Sequence, residues 1–159
     1  MISITHTDTA FTHLITLQIP AIARVPMVRD LMKKYTSGYL SEKRLAEVMK
    51  VSTLPLIGLK TFAPEDAAAS GNQSGDLISL DSADFEGYKM RESAALSRTP
   101  ITVLHELAHW GYRTGQRLGN ASDSFGRQHN NHGDYKSPLN VELEKVFAIL
   151  AILSRPAMP

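Results

Sequence analysis

The strongest constraint on this chain is a His-Glu-Leu-Ala-His segment set in an apolar stretch that begins with a proline. Proline suits the first turn of a helix, so the sequence predicts a helix over residues 100–110. At 3.6 residues per turn, His105 and His109 lie on one face of that helix, one turn apart. Both imidazoles can then reach the same partner, and the apolar residues around them predict that this helix is buried.

Two histidines at this spacing, followed in the first case by glutamate, form the HExxH pattern of zinc-dependent hydrolases. The His105 and His109 side chains can bind one Zn²⁺ ion at about 2.0 Å. Glu106 lies about 100° around the helix, where it can bond a water in the open metal position and act as general base. Because the chain has no cysteine, every ligand must be histidine or carboxylate. The HExxHxxGxxH extension is absent, which excludes the metzincin class.

A catalytic zinc usually has three protein ligands, so a third must lie elsewhere. A second helix is predicted over residues 138–153, with Pro138 at its first position. Its apolar stripe contains Leu139, Leu143, Val146, Leu150 and Leu153. Glu142 falls inside that stripe and is our first candidate, because a carboxylate on a core-facing side needs a cationic partner. Glu144, on another face, is the alternative. Three more candidates lie between the two helices, at His129, His132 and Asp134.

The remaining elements are predicted from periodicity and from turn residues. We expect a strand over residues 13–19 that ends at Pro20, then helices over 21–35 and 41–51, the second capped by Ser41. Further strands are expected over 54–62 and 76–81, separated by a surface loop over 63–75. The fold class is therefore α+β, with a small mixed sheet packed on the HExxH helix and on a C-terminal helix that carries a ligand.

Composition and charge exclude several classes of protein. Lys and Arg total 17 against 16 Asp and Glu, so the formal net charge of +1 gives no support to nucleic-acid binding. No stretch approaches the roughly 18 apolar residues of a membrane span. Residues 1–10 contain no Lys or Arg, which argues against a signal peptide. At 159 residues we expect one domain: a scaffold over 1–62, the loop over 63–75 and a catalytic portion over 76–159.

The second half of the chain resembles zincin metallopeptidases of the gluzincin kind, in particular the small metallopeptidase toxin domains of bacterial secreted toxins and type VI effectors. The resemblance rests on three segments: residues 78–80, His105-Glu106-Leu107-Ala108-His109-Trp110-Gly111, and Val141-Glu142-Leu143-Glu144-Lys145. A weaker similarity links it to the zincin domain of phage and plasmid antirestriction-type proteins.

The resemblance implies a zinc endopeptidase with one Zn²⁺, a protein or peptide substrate, a cognate immunity protein, and secretion or delivery as an effector. It also implies an edge strand that binds the substrate, for which residues 76–81 are the candidate. Tyr112, Arg113 and Tyr135 are candidates to stabilise the oxyanion, beside ordinary surface roles. Two other functions stay open: a non-catalytic zinc-binding module, and a regulatory protein that engages partners through residues 63–75 and 119–137.

Overall fold

The structure is a computed structural model that describes residues 1–4, 8–51, 53–66, 69–120, 122–131 and 137–153. It is a single small α+β domain, as the sequence predicts. The strands are β1 (Ile2–Ser3), β2 (Leu56–Lys60), β3 (Gly71–Ser74) and β4 (Leu77–Asp81). The helices are α1 (Thr9–His13), α2 (Ile19–Ala23), α3 (Pro26–Lys34), α4 (Glu42–Val48), α5 (Ser82–Lys89), α6 (Ser93–Arg117), α7 (Ser124–Asn130) and α8 (Pro138–Leu153). A π-helical turn spans Leu14–Gln18 and a 3₁₀ turn spans Pro64–Asp66.

The four strands form one mixed sheet in the order β1-β2-β4-β3. Strand β2 is parallel to both β1 and β4, whereas β3 is antiparallel to β4. The sheet packs on the long helix α6 through β3 and β4, and Ile57 of β2 and Ile78 of β4 are fully buried. Helix α8 packs on α6 and also on α3. Helix α6 therefore lies at the centre of the domain, between the sheet and α8.

The strand expected over residues 13–19 is wrong, because this part of the chain is helical. Asp8 caps α1 by accepting a hydrogen bond from the backbone N–H of Phe11. The fully buried residues here are Phe11, Leu14, Ile15 and Ile19, whose spacing fits one helix face. Pro20 does not end the element, since it lies in the first turn of α2. Burial on one side therefore outweighs the preference of the β-branched residues for strands.

Two expectations about the sheet also need correction. Residues 71–74 lie in the predicted loop over 63–75, yet they form β3, and a turn at Gly75, with φ 55°, returns the chain into β4. Strand β4 matches the strand predicted over residues 76–81, but it lies inside the sheet, so the candidate edge strand is wrong. The edge beside α6 is β3. Its polar sequence carries little strand preference, and pairing with β4 sets its conformation.

The helix predicted over residues 21–35 is wrong as one element, because the chain bends by 92° between Ala23 and Pro26 and forms α2 and α3. The other helix predictions hold with shifted ends. Ser41 caps α4 by accepting from the N–H of Arg44, and α8 begins at Pro138 and ends at Leu153 as expected. Helix α6 begins at Ser93, earlier than predicted, so Pro100 lies inside it. None of the described helices is by itself long and apolar enough to cross a bilayer. The helical run over residues 9–23 meets that test only together with α3, from which it is separated by a 92° bend.

A candidate metal centre on the central helix

The HExxH segment lies in the most deeply buried part of α6. His105 is 1% exposed, Glu106 2% and His109 8%, and the apolar residues around them belong to the main core. The Nε2 atoms of His105 and His109 are 2.9 Å apart. Two imidazole nitrogens that share a tetrahedral zinc ion at 2.0–2.1 Å would be about 3.3 Å apart. The pair therefore needs only a small opening to hold one ion, as its i, i+4 spacing predicts.

A third histidine joins this pair from α7. His129 is fully buried, and its ring stacks on that of His109 with the centroids 4.3 Å apart. Its centroid is 4.6 Å from that of His105. Each of the three residues offers a ring nitrogen, and these nitrogens all lie within 4.8 Å of one another. His105, His109 and His129 thus form a cluster that could hold a metal ion.

The chain reaches this position through a sharp turn after α6. Gly119 has φ 86°, the N–H of Asn120 donates to the carbonyl of Gly115, and that of Gly119 donates to Gln116. This pattern is a Schellman motif, in which glycine takes the left-handed conformation that ends the helix. Asp123 then caps α7 by accepting from the N–H of Gly126. The turn lets α7 pack back on α6, so His129 comes beside the other two histidines.

Gly126 sets how closely α7 can approach. A Cβ atom there would lie 2.8 Å from Cδ2 of Tyr112 and would also overlap Ser37. Carbon atoms in ordinary contact are 3.5–4.0 Å apart, so only glycine allows this packing. Tyr112, one of the oxyanion candidates, is buried in this contact. Its position therefore indicates a packing role.

The predicted ligand Glu142 is placed elsewhere. Its Oε2 accepts a hydrogen bond of 2.6 Å from the hydroxyl of Tyr35, and its Oε1 lies 3.6 Å from Nζ of Lys34. Glu144 is exposed on α8. Glu142, ranked first as the third ligand, thus has its cationic and hydrogen-bonding partners in Lys34, at the end of α3, and Tyr35, the residue after it. His129, kept as an alternative by the sequence, takes the position beside the histidine pair, while His132 and Asp134 lie outside the described residues.

Tyr35 connects Glu142 to the histidine cluster by packing. Its ring is buried and lies edge-on to the ring of His129, with the centroids 6.1 Å apart. Burial raises the pKa of the Tyr35 hydroxyl, and the hydrogen bond to the Glu142 carboxylate raises it further. The phenol is therefore held in its neutral, donating form. Tyr35 therefore packs against the cluster at His129, and Glu142 contacts Tyr35 without belonging to the histidine cluster.

Two side chains from the start of α8 contact the histidines directly. Asn140 Oδ1 lies 2.9 Å from Nδ1 of His105, and Ser137 Oγ lies 3.1 Å from Nδ1 of His129. The Nε2 atom of His129 lies 3.1 Å from the carbonyl oxygen of His105. Sequence reasoning missed both residues. The signal available was their i, i+3 spacing at the predicted start of a core helix, which puts them on one face.

Glu106 lies directly under the edge strand. A Cβ atom on Gly71 would be 2.9 Å from Cγ and 3.2 Å from Oε1 of Glu106. The backbone of β3 therefore passes closer to this carboxylate than any residue with a side chain would allow. Gly71 was not recognised from the sequence, because it lies in the loop predicted over residues 63–75.

Two more residues of α6 bind the hairpin formed by β3 and β4. The indole N–H of Trp110 donates to Asp76 Oδ1 at 2.8 Å. The Arg113 guanidinium donates to Oε1 of Gln73 at 2.6 Å and to its backbone carbonyl at 3.3 Å. Together with Glu106, these residues have i, i+4, i+7 spacing and lie on one face. Arg113, the second oxyanion candidate, therefore binds the edge strand through Gln73. Tyr135, the third candidate, lies outside the described residues.

The donor set fits a zinc ion in the way a catalytic site does. Three imidazoles leave a fourth tetrahedral position for water, and His₃ is one of the ligand sets known for catalytic zinc. Neutral imidazole also suits copper, iron and nickel, so the donors alone do not select zinc. Comparison of the chain with protein-family models, with curated proteins and with solved structures finds no match.

Proposed function

We propose that the chain is a metal-dependent hydrolase, most simply a zinc peptidase of the HExxH type. His105, His109 and His129 would hold the ion, and Glu106 would act as general base. The observation that carries the proposal is the cluster of three buried histidines, whose ring nitrogens lie within 4.8 Å of one another and whose first member is followed by Glu106. We leave Glu142 out of the proposed ligand set because its carboxylate contacts Tyr35 and Lys34.

Bound zinc supplies Lewis-acid polarisation of a carbonyl group and lowers the pKa of a coordinated water. The residues of the chain contribute the proton transfers. Glu106 can accept a proton at its carboxylate and pass it to the leaving amine, which is the role of a general base followed by a general acid. Its close packing under Gly71 restricts the positions that the carboxylate can take. Such restriction supports a catalytic role, because misplaced acid-base groups lose much of their effect.

The edge strand supports a peptide substrate. The N–H of Asp81 donates to the carbonyl of Ser70, so these opposed residues form a hydrogen-bonded pair. Bonded and non-bonded pairs alternate along an antiparallel ladder. The N–H and carbonyl groups of Gly71 and Gln73 therefore point away from β4, and the Gln73 carbonyl accepts from Arg113. An extended peptide can add to this edge by main-chain hydrogen bonds to Gly71, next to Glu106.

The burial of the cluster favours a second candidate function, a closed and non-catalytic metal site. All three histidines are less than a tenth exposed, and structural zinc sites are closed whereas catalytic ones keep an open position. The two candidates differ in what Glu106 does. A purely structural site has no use for a base beside the metal.

The test combines metal analysis with proteolysis by the full chain. Protein purified without chelator is assayed for bound metal and for cleavage of a denatured-protein mixture, with the products identified by mass spectrometry. We expect about one metal ion per chain and cleavage that a chelator abolishes. Glu106→Gln should keep the metal and lose 10² to 10⁴ in rate. The matched control is Glu144→Gln, the same chemical change at an exposed position on α8.

Three outcomes decide between the candidates. Failure to bind any transition metal with better than micromolar affinity refutes both. Bound metal without hydrolysis favours the closed site. Cleavage by Glu106→Gln within threefold of the unmodified chain contradicts the general-base role, even if the metal is present.

A further inference from the structure

We propose that Asn140 and Ser137 are positioning residues for Nε2 coordination: Asn140 selects Nε2 as the ligand atom of His105, and Ser137 supports His129 when its Nε2 binds the metal. This inference rests on the proposed metal site and extends it, because it assigns the ring nitrogens that face the ion. It also gives α8 a new role. The helix predicted to carry a ligand instead carries the groups that orient two ligands.

Asn140 determines the tautomer of His105. Its amide oxygen only accepts hydrogen bonds, so the Nδ1 atom at 2.9 Å must carry the proton and donate. A neutral imidazole has one N–H, and the Nε2 atom of His105 is then left with its lone pair. That atom is the one that faces His109 at 2.9 Å. The hydrogen bond therefore presents a metal-binding lone pair in the cluster.

Ser137 plays the corresponding part for His129, with one difference. A hydroxyl can donate or accept, so Ser137 Oγ can pair with Nδ1 in either tautomer. When Nε2 carries the proton, it can donate to the carbonyl of His105 at 3.1 Å. When Nδ1 carries the proton, it donates to Ser137 and Nε2 becomes available to a metal. Serine thus satisfies His129 in both states, and metal binding selects the second.

The two positioning residues act from one rigid support. Ser137 is fully buried, and its backbone carbonyl accepts from the N–H of Val141 to begin α8. Leu139 and Leu143 are also fully buried and fix the helix in the core. Side chains held on such an element can orient metal ligands more precisely than groups on a loop. Hydrogen bonds to the non-ligating nitrogen are known to orient histidine ligands and raise their basicity.

The experiment measures Co²⁺ binding to the full chain by its d–d absorption, in competition with a chromophoric chelator. Asn140→Leu keeps the approximate size and removes the acceptor, and Ser137→Ala removes the hydroxyl. We expect each to weaken Co²⁺ binding 10- to 100-fold and to change the spectrum. Asn140→Asp retains an acceptor oxygen and should restore both. The matched control is Val141→Ala, at the neighbouring, exposed position of the same helix.

A second measurement needs no variant. Long-range ¹H–¹⁵N correlation spectra of the Zn²⁺-loaded chain report which ring nitrogen carries the proton. We expect Nδ1–H and metal-bound Nε2 in both His105 and His129. Metal on Nδ1 of either residue overturns the inference, as do Asn140→Leu and Ser137→Ala proteins that bind Co²⁺ within threefold of the unmodified chain. If the unmodified chain binds neither metal, the proposed function fails first and this inference fails with it.

Discussion

Replacing Gly71 by alanine tests whether the edge strand fixes the proposed general base. The new Cβ atom would lie 2.8 Å from Cγ2 of Thr102 and 2.9 Å from Cγ of Glu106. Ordinary carbon contacts are 3.5–4.0 Å, so the neighbours must move by about 0.6–1.2 Å. Gly71 is not among the glycines with positive φ, and the backbone there accepts alanine. The effect of the change is therefore one of space alone.

The strand is less able to move than the carboxylate. Strand β3 is paired with β4 along its length, and Arg113 holds Gln73, two residues further on. We therefore expect Glu106 to shift by most of that distance. A misplacement near 1 Å can cost about 10² in rate, and overpacking of this kind costs about 1–3 kcal/mol of stability.

The assay compares kcat/KM, bound metal and thermal unfolding for Gly71→Ala. We expect a loss of about 10² in kcat/KM, a Tm lower by a few degrees, and full metal content. Asn72→Ala, on the exposed face of the same strand, should change none of these. Adding Thr102→Ser removes one of the two clashing groups and should recover part of the loss. Activity within threefold of the unmodified chain, with an unchanged Tm, would show that the edge strand does not fix the position of Glu106.

Two further substitutions test the supports around the cluster. Glu142→Ala removes the acceptor of the buried Tyr35 hydroxyl and should lower the free energy of unfolding by about 1–2 kcal/mol in denaturant titrations, with metal affinity within threefold. In the exposed control Glu144→Ala, the free energy of unfolding should change by less than about 0.5 kcal/mol. A steep loss of metal affinity in Glu142→Ala would instead identify Glu142 as a ligand. Trp110→Phe removes the hydrogen bond to Asp76. It should raise KM for peptides with little change in metal content. A KM equal to that of the unmodified chain would show that this bond does not position the hairpin.

The sequence predicts those parts of the fold that local chemistry decides. Ser41 caps a helix, Pro138 begins one, and the two strands β2 and β4 follow their apolar residues. The HExxH spacing likewise predicts the face shared by His105 and His109, because one helix contains the whole motif. These predictions hold because each depends on residues that are close in sequence, within about one or two helical turns.

The predictions that fail depend on partners distant in sequence. Strand β3 has almost no apolar side chain, and it exists because β4 pairs with it and α6 binds it through Arg113. Residues 13–19 contain β-branched side chains in partial alternation, which favours a strand locally. Their burial on one side follows the helical period, and that tertiary requirement decides the outcome.

The third ligand illustrates the same limit at the site. A carboxylate in an apolar stripe needs a partner, and Glu142 has one in the hydroxyl of Tyr35. Tyr35 lies 107 residues away in the sequence. The residues near Glu142 therefore do not indicate whether its partner is a hydroxyl group or a metal ion. His129 lies in a polar stretch that resembles a surface loop, and it becomes buried only because the turn at Gly119 folds α7 back on α6. The helical wheel gave α8 the correct orientation toward the core. That orientation brings Asn140 to His105, so the helix contacts a proposed ligand where it was expected to provide one.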